Sequence, residues 1–548
     1  MKKLKLITFI SAFLLLFVGC DQDFEELALE GQKYTLTDLD PGIVFAGSQR
    51  VGFGSSWESE ATVVQYFVLP YNLGATAGFN FNYDVMGQQN AEWGNYTGNL
   101  RTYKNLLKII DESYPERTNL KSVIRMWKAF VFMNIVDTHG DIPYFDAIRA
   151  DEGPDYWRPK YDDAQEIYDD LEKEIREAVA ALDPNKDFME YDVFFGPKGH
   201  VGSPDAAAQV ARWKKVGNTL LLRMALRYSK LNPSKGAALA TEAFNGGVME
   251  SNDDNVMVTY EPPNFSNGRH GNLVNAATNP YYYYAAEPFV NQLKNTQDPR
   301  SKYIIAKFND AVAVQTATGS LDWADQFGVP VGIPADVITD PANASLYRGA
   351  HPISNGLNYS QINVQAGAST LTPSYWLTYA QTSLLLAEAA HRGWIPGGDA
   401  QAQVYYENGI KADMDRYELI ATYAASNPAN GITYPLKITE AEKADYLANP
   451  LVAWNTADAL KLINTQYWVV HIWDPREGLF NWRRSGYPVL ERNKYNDNFL
   501  ENGGDGFVHR YRYTDDEYRR NKANVEAAAA KIGGDFVTTR VFWDIKLP

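Results

Sequence analysis

The first strong hydrophobic periodicity begins near Lys121. Ile124, Trp127, Val131 and Ile135 recur at i, i+3, i+7 and i+11, one face of an α-helix. Gly140 and Pro143 end it. Ile167, Leu171, Ile175, Ala178 and Leu182 mark a second helix, closed by Asp183-Pro184. One apolar stripe on each predicts that the two pack as an antiparallel pair. A third helix is predicted over 206–231, with Trp213, Leu220 and Met224 on one side. Pro233-Ser234 opens a fourth, whose Ala237, Ala240 and Ala243 allow close packing. Helical spacing resumes at Pro373 and runs through Trp376, Tyr379, Leu384, Leu386 and Ala387 to Arg392-Gly393. Asp399 is placed to cap a partner helix containing Val404, Tyr405 and Ile410. A further helix from Ala457 carries Leu460, Ile463, Tyr467 and Trp468, and an alanine-rich one ends at Gly533-Gly534.

Helix pairs recurring at about 34 residues predict a mainly α, tetratricopeptide-like scaffold of helical hairpins. Two stretches break the pattern. Residues 51–96 and 250–372 are rich in Gly, Asn and aromatics, and the second also in Pro. Irregular segments this long read as functional loops, so a large loop-rich aromatic face is expected on the scaffold.

The N-terminus has a different pattern. Lys2, Lys3 and Lys5 precede the apolar run 6–18, which is too short for the roughly 20 residues of a membrane span. It reads as a signal peptide, residues 1–19, ending just before Cys20. Cys20 is the only cysteine, so no intramolecular disulfide can form. Its setting resembles a bacterial lipobox, which implies lipidation at Cys20. The acidic residues 21–26 resemble a surface-export signal. Residues 20–45 are read as lipidated cysteine and tether, and 46–548 as the folded domain.

Acidic residues outnumber basic ones, 67 to 51, for a net charge of −16. Such a chain is a poor binder of nucleic acid, which needs a basic face. The seven histidines are not spaced as metal ligands, and no nucleophile elbow or phosphate-binding glycine loop occurs. A calcium-loop-like start at Asp183 lacks the required glycine and acid, since Phe188 and Phe194 stand there. No catalytic residue, metal or cofactor is assigned.

Several blocks, in order, resemble the SusD/RagB family of outer-membrane nutrient-binding lipoproteins. They are Asp137-Thr138-His139-Gly140-Asp141-Ile142-Pro143-Tyr144, with His139 at a usually aromatic place; Trp213 through Asn218 to Leu222-Arg223-Met224-Ala225-Leu226-Arg227; Ser383 to Gly393; Phe480 to Pro488; and Val541-Phe542-Trp543-Asp544. Asn481 departs from the family's commoner acidic or small residue. The resemblance implies surface display, binding of an oligomeric nutrient without chemistry, and a SusC-like TonB-dependent transporter over which the lipoprotein sits as a lid. Scaffold roles are expected for Trp213, Arg223 and Trp482, and pairing with Glu388 for Arg483 and Arg484.

Aromatics make up 13% of the chain. A Trp or Tyr plane covers the C–H face of a sugar while nearby polar groups bond its hydroxyls. Two stretches offer this: 79–96, with Tyr83, Trp93 and Tyr96, and 281–359, with Tyr282, Tyr283 and Trp323. These six are the candidate ligand residues, with an oligosaccharide or polysaccharide the favoured ligand. Trp93 has core packing as its alternative. A peptide-binding member of the family, a surface glycosidase and a protein-binding adaptor are the competing readings.

Overall fold

The computed structural model describes residues 39–51, 57–70, 90–260, 283–313, 318–425, 432–492 and 503–546. Residues 1–19, read as a signal peptide, and Cys20, Tyr83 and Tyr282 lie outside them. The first described helix, α1 (Pro41–Val51), starts inside the stretch read as tether. Asp40 begins it by accepting the Gly42 N–H at 2.7 Å, and Phe45 is buried against Tyr103.

The scaffold consists of α2 (Arg101–Ser113), α3 (Thr118–His139), α4 (Ala164–Ala181), α5 (Ala206–Arg227), α6 (Pro233–Gly246), α7 (Glu287–Thr296), α8 (Tyr379–His391), α9 (Gly398–Ala425), α10 (Ala459–Val470), α11 (Pro475–Ser485) and α12 (Lys522–Lys531). Consecutive helices pair as α3/α4, α5/α6, α8/α9 and α10/α11, and the pairs stack through α4/α5, α5/α8 and α8/α10. This is the tetratricopeptide-like arrangement. Side chains fix the starts: Asp163, Asp205, Asn232 and Thr378 each accept a first-turn N–H. Asp399 is not a cap. It lies in the first turn of α9 and meets His391 Nδ1 at 2.6 Å.

The predicted pairing of α3 with α4 is present, but α3 does not have one buried stripe. Nearly its whole surface is covered. Its polar residues are accommodated by bonds: Asn134 Nδ2 donates to Phe130 O at 2.6 Å, and Asn119 Nδ2 to Asp183 O at 2.9 Å. Gly217 lets α5 approach closely, since a Cβ there would overlap Val179 and reach Met126 Sδ at 2.9 Å.

The described parts of 250–372 carry more secondary structure than their composition predicts. Short strands β1 (Phe67–Val68), β2 (Val256–Val258), β3 (Tyr284–Ala285), β4 (Ile305–Phe308), β5 (Gly319–Ser320), β6 (Gln361–Ile362) and β7 (Ser374–Leu377) form two sheets. One has the order β1-β3-β6-β4-β5 and the other joins β2 to β7, with every pair antiparallel. Strands this short carry too few residues for a period of two to emerge. Val68, Tyr284, Val329, Ile338 and Leu357 build a second apolar cluster beneath them.

Buried ion pairs tie the helices together. Glu477 on α11 accepts from both Arg223 and Arg227 of α5, the latter at 2.7 Å, and from Tyr467 Oη at 2.7 Å. Arg227 also reaches Asp137 Oδ2 of α3 at 3.2 Å. Asp137 accepts in addition from Tyr168 and from Trp543 Nε1, at 2.7 Å for the indole. The arginines hold the Glu477 carboxyl well below the usual range despite its burial. Arg484 grips Glu388 with two bonds of 2.6 and 2.7 Å. Asn481 accepts from Arg484 Nη2 at 2.7 Å and donates to Asn464 at 2.9 Å. Arg483 does not join Glu388. It donates to the carbonyls of His509 and Asp137.

Candidate ligand-binding site

The helical turn Asn90–Trp93 and the turn Tyr96–Leu100 lead into α2. They place Trp93 and Tyr96 side by side, with ring centroids 5.3 Å apart. Trp93 rests edge-on to His139 at 5.0 Å and is stacked with Tyr161 at 6.2 Å. His139 therefore serves as a packing ring where the family usually has an aromatic. Burial holds its pKa down at about 3, so the imidazole is neutral. Its Nδ1 lies 3.2 Å from Tyr511 O. Tyr96 Oη donates to Pro143 O at 2.7 Å.

Outside these rings opens a pocket of about 530 Å³. Trp93, Tyr96, Ala147, Ile148, Tyr156 and Trp157 supply apolar wall, and Thr97, Asn105, Arg101, Lys104, Asp516 and Glu517 supply polar groups. Trp157 is 66% exposed, and its indole N–H donates to Ala150 O at 3.0 Å, which fixes the ring as a plate at the mouth. Arg149 covers the Tyr156 ring, 3.8 Å from its centroid. Charge on the rim is balanced. Lys104 Nζ lies 2.8 Å from Asp151 and 2.9 Å from Glu152. Tyr161 donates to Glu517 Oε2 at 2.9 Å. Burial, reinforced by the nearby Glu517, raises the pKa of both Tyr96 and Tyr161, so both remain neutral phenols.

Of the predicted ligand residues, Trp93 and Tyr96 line this pocket, and Trp93 is also packed on the core, as its alternative reading had it. Tyr283 and Trp323 do not line it. Both are half-buried and pack on the main core, Trp323 in the short turn Trp323–Asp325. Within the four-tyrosine run, Tyr284 is fully buried in β3, and its hydroxyl accepts the Leu357 N–H at 2.8 Å. The sequence reading missed Tyr156 and Trp157. Their signal is an aromatic pair in a Gly153-Pro154 turn, too short for any periodicity. Among the described residues, no group of three or more His, Cys, Asp or Glu is arranged to hold a metal ion.

A sequence model of the SusD-like family, described as starch-binding and associating with the outer membrane, matches residues 44–513. The chain belongs to this SusD/RagB family. Solved structures agree. A chitin-binding protein is 25% identical with a TM-score of 0.72, covering 92% of this chain and 100% of its own. A Bacteroidetes SusD-like protein is 22% identical with a TM-score of 0.71, over 93% and 100%. A chitin-binding SusD homologue from Flavobacterium johnsoniae is 22% identical with a TM-score of 0.65, over 92% and 96%. Among curated proteins, nothing matches. No helix among the described residues is long and apolar enough to cross a membrane.

Most of the SusD-like motif residues serve the scaffold. Asp137, Arg223, Arg227, Glu388, Arg484 and Trp543 all belong to the buried pairs above. Trp213 donates to Asp192 at 2.7 Å and Trp482 to Pro488 O at 3.0 Å. Pro143 alone among the motif residues reaches the pocket wall, where it also receives the Tyr96 hydroxyl.

Proposed function

We propose that this SusD-like protein captures an oligomeric glycan at the cell surface and hands it, chemically unchanged, to a SusC-like TonB-dependent transporter. A lipid on Cys20 holds it to the outer membrane, facing outward. The observation that carries this reading is the pocket of Trp93, Tyr96 and Trp157, an apolar platform rimmed by hydroxyl, amide and charged groups. A pyranose offers the matching surfaces, a C–H face for the indoles and hydroxyl edges for Asn105, Thr97 and Glu517. Support also comes from the family's starch-binding description and from the two chitin-binding proteins of the same fold. Tyr283 and Trp323, away from this pocket, provide a second place where a long ligand touches the loop-rich face. Modest affinity suits hand-over.

The test is a glycan array followed by calorimetry on the chain beginning after Cys20. Binding to one polysaccharide class, weakened in Trp157→Ala with an unchanged melting temperature and without release of reducing sugar, supports capture. Peptide binding with silence across glycans overturns the ligand class. Reducing-sugar release would favour a glycosidase.

A further inference from the structure

Phe327 follows the Trp323–Asp325 turn and packs on the second apolar cluster. Ser360 pins it twice: the Phe327 N–H donates to Ser360 Oγ at 2.9 Å, and the Phe327 carbonyl accepts the Ser360 N–H at 2.7 Å. Two cations lie over its ring, Lys294 Nζ at 4.3 Å and Arg348 Cζ at 3.6 Å from the centroid. Lys307, on β4, is half-buried beside Arg348. Burial first and the Arg348 charge second push its pKa down to about 8, against the opposing pull of Asp325.

Among the described residues, none of these three cations forms an ion pair with a carboxylate. Arg101, Lys128, Lys214, Lys230 and Lys461 have no such pair either, and what Lys294 and Arg348 add is their convergence on one partly covered ring. Lys104, Lys215, Lys235, Lys443 and Lys531 each grip two carboxylates. Their N–H groups are also underused. Arg348 spends only Nε, on Asn358 O at 3.1 Å, and Lys294 makes one bond, to Gln326 O at 3.1 Å. The nearby His351 adds no charge. Its Nε2 faces Phe308 O and its Nδ1 accepts the Ile353 N–H, both at 3.1 Å, as a neutral ring does. Burial and the Lys307 charge hold its pKa down.

An aromatic ring holds a cation without neutralising it, because its quadrupole carries no net charge. Arg348 then keeps the free end of its guanidinium fork, which fits the paired oxygens of a carboxylate or sulfate. We propose that Lys294 and Arg348, gathered at Phe327, form a second ligand subsite that takes an acidic group of the glycan, the carboxylate of a uronic acid or a sulfate ester, with Lys307 adding positive charge within electrostatic reach of Arg348. This rests on the glycan reading above and narrows its substrate class. The rest of the protein repels acidic polymers at long range, so the attraction is local and sensitive to salt.

The test is calorimetry on the full mature chain in detergent with paired probes. Oligogalacturonate against its methyl ester isolates a carboxylate, and dextran sulfate against dextran isolates a sulfate. The expected result is binding about tenfold tighter for the acidic member of at least one pair at low salt, shrinking as salt rises. Which pair responds tells carboxylate from sulfate. Arg348→Gln with Lys294→Gln should reduce the preference to within about twofold, with the melting temperature and any neutral-glycan binding retained. Arg348→Lys, which keeps the charge and loses the fork, should fall between. Equal binding of acidic and neutral members overturns the proposal, as does a preference that survives the double variant. If neutral glycans from the array still bind, glycan capture stands without the acidic subsite. If no glycan binds, both readings fall.

Discussion

Positive charge is handled in opposite ways in the helical scaffold and in the loop-rich face. Arg223, Arg227, Arg300 and Arg484 are buried, and each meets at least one buried carboxylate. Lys294 and Arg348 are only partly covered or exposed, and what gathers them is the Phe327 ring rather than a carboxylate. Burial makes an unsatisfied charge cost several kcal/mol, so the scaffold has to satisfy its arginines, these four with carboxylates and Arg483 with the carbonyls of His509 and Asp137. Water removes that demand at the surface, and an unpaired cation there remains available to a ligand. Buried charge is therefore spent inside the fold here, and exposed charge held on a ring stays open to binding.

The sharpest way to break that comparison is Glu477→Gln. It leaves Arg223 and Arg227 without their shared carboxylate, and urea unfolding should show a loss of about 3–5 kcal/mol. A loss below about 1 kcal/mol would put the network on a par with surface pairs. Next in size, Trp157→Ala removes an exposed plate and should weaken glycan binding about tenfold or more by calorimetry, with stability unchanged. Equal affinity would remove the pocket from the ligand path.

The third test uses pH. Burial depresses His139 to about 3 and His471 to about 4, below the ordinary histidine value. Their contribution is thus full above about pH 6.5 and lost as pH falls, because the unfolded chain takes up protons that the folded chain refuses. Between pH 7.5 and 5.5 each should cost about 1.4 kcal/mol. Asp544 and Asp505 raise His509, which therefore acts with the opposite sign at the upper end of that window. His471→Gln should remove one histidine's share of the fall, read from unfolding midpoints at the two pH values. An unchanged slope would mean that His471 is not held neutral. Last and smallest, Arg176→Ala breaks a pair with Glu242 of 2.7 Å in which both side chains are about 40% exposed. It should cost less than about 1 kcal/mol in the same assay.

The existence of the helices was the most legible part of the chain, their boundaries less so: the helix read from Pro373 begins at Tyr379, because 374–377 pair as strand β7, and Asp399 does not cap α9. Pro233 opens α6 as its position suggests, with Asn232 capping it, while the caps Asp163 and Asp205 are local features that the apolar periodicity did not single out. The extent of burial was less legible. Periodicity marks a stripe on α3, but its covering by α2, α4 and α5 depends on distant segments. The sheet strands of 283–362 pair across the loop-rich region and leave no local period. Trp93 and Tyr96 were recognised by residue type, whereas Trp157 joins them only because the turn after Tyr144 folds back beside α2.

The sequence by itself determined the helical hairpins, the family and the acidic character, because caps, 3.6-residue periodicity and motif order are properties of neighbours along the chain. The tertiary structure alone decided which aromatics form a wall and which are core, with Tyr284 sealed within β3 and Trp157 left open. It alone decided which cations are spoken for. Burial and pairing are set by contacts between segments hundreds of residues apart, such as Arg223 with Glu477, and no local pattern carries that information.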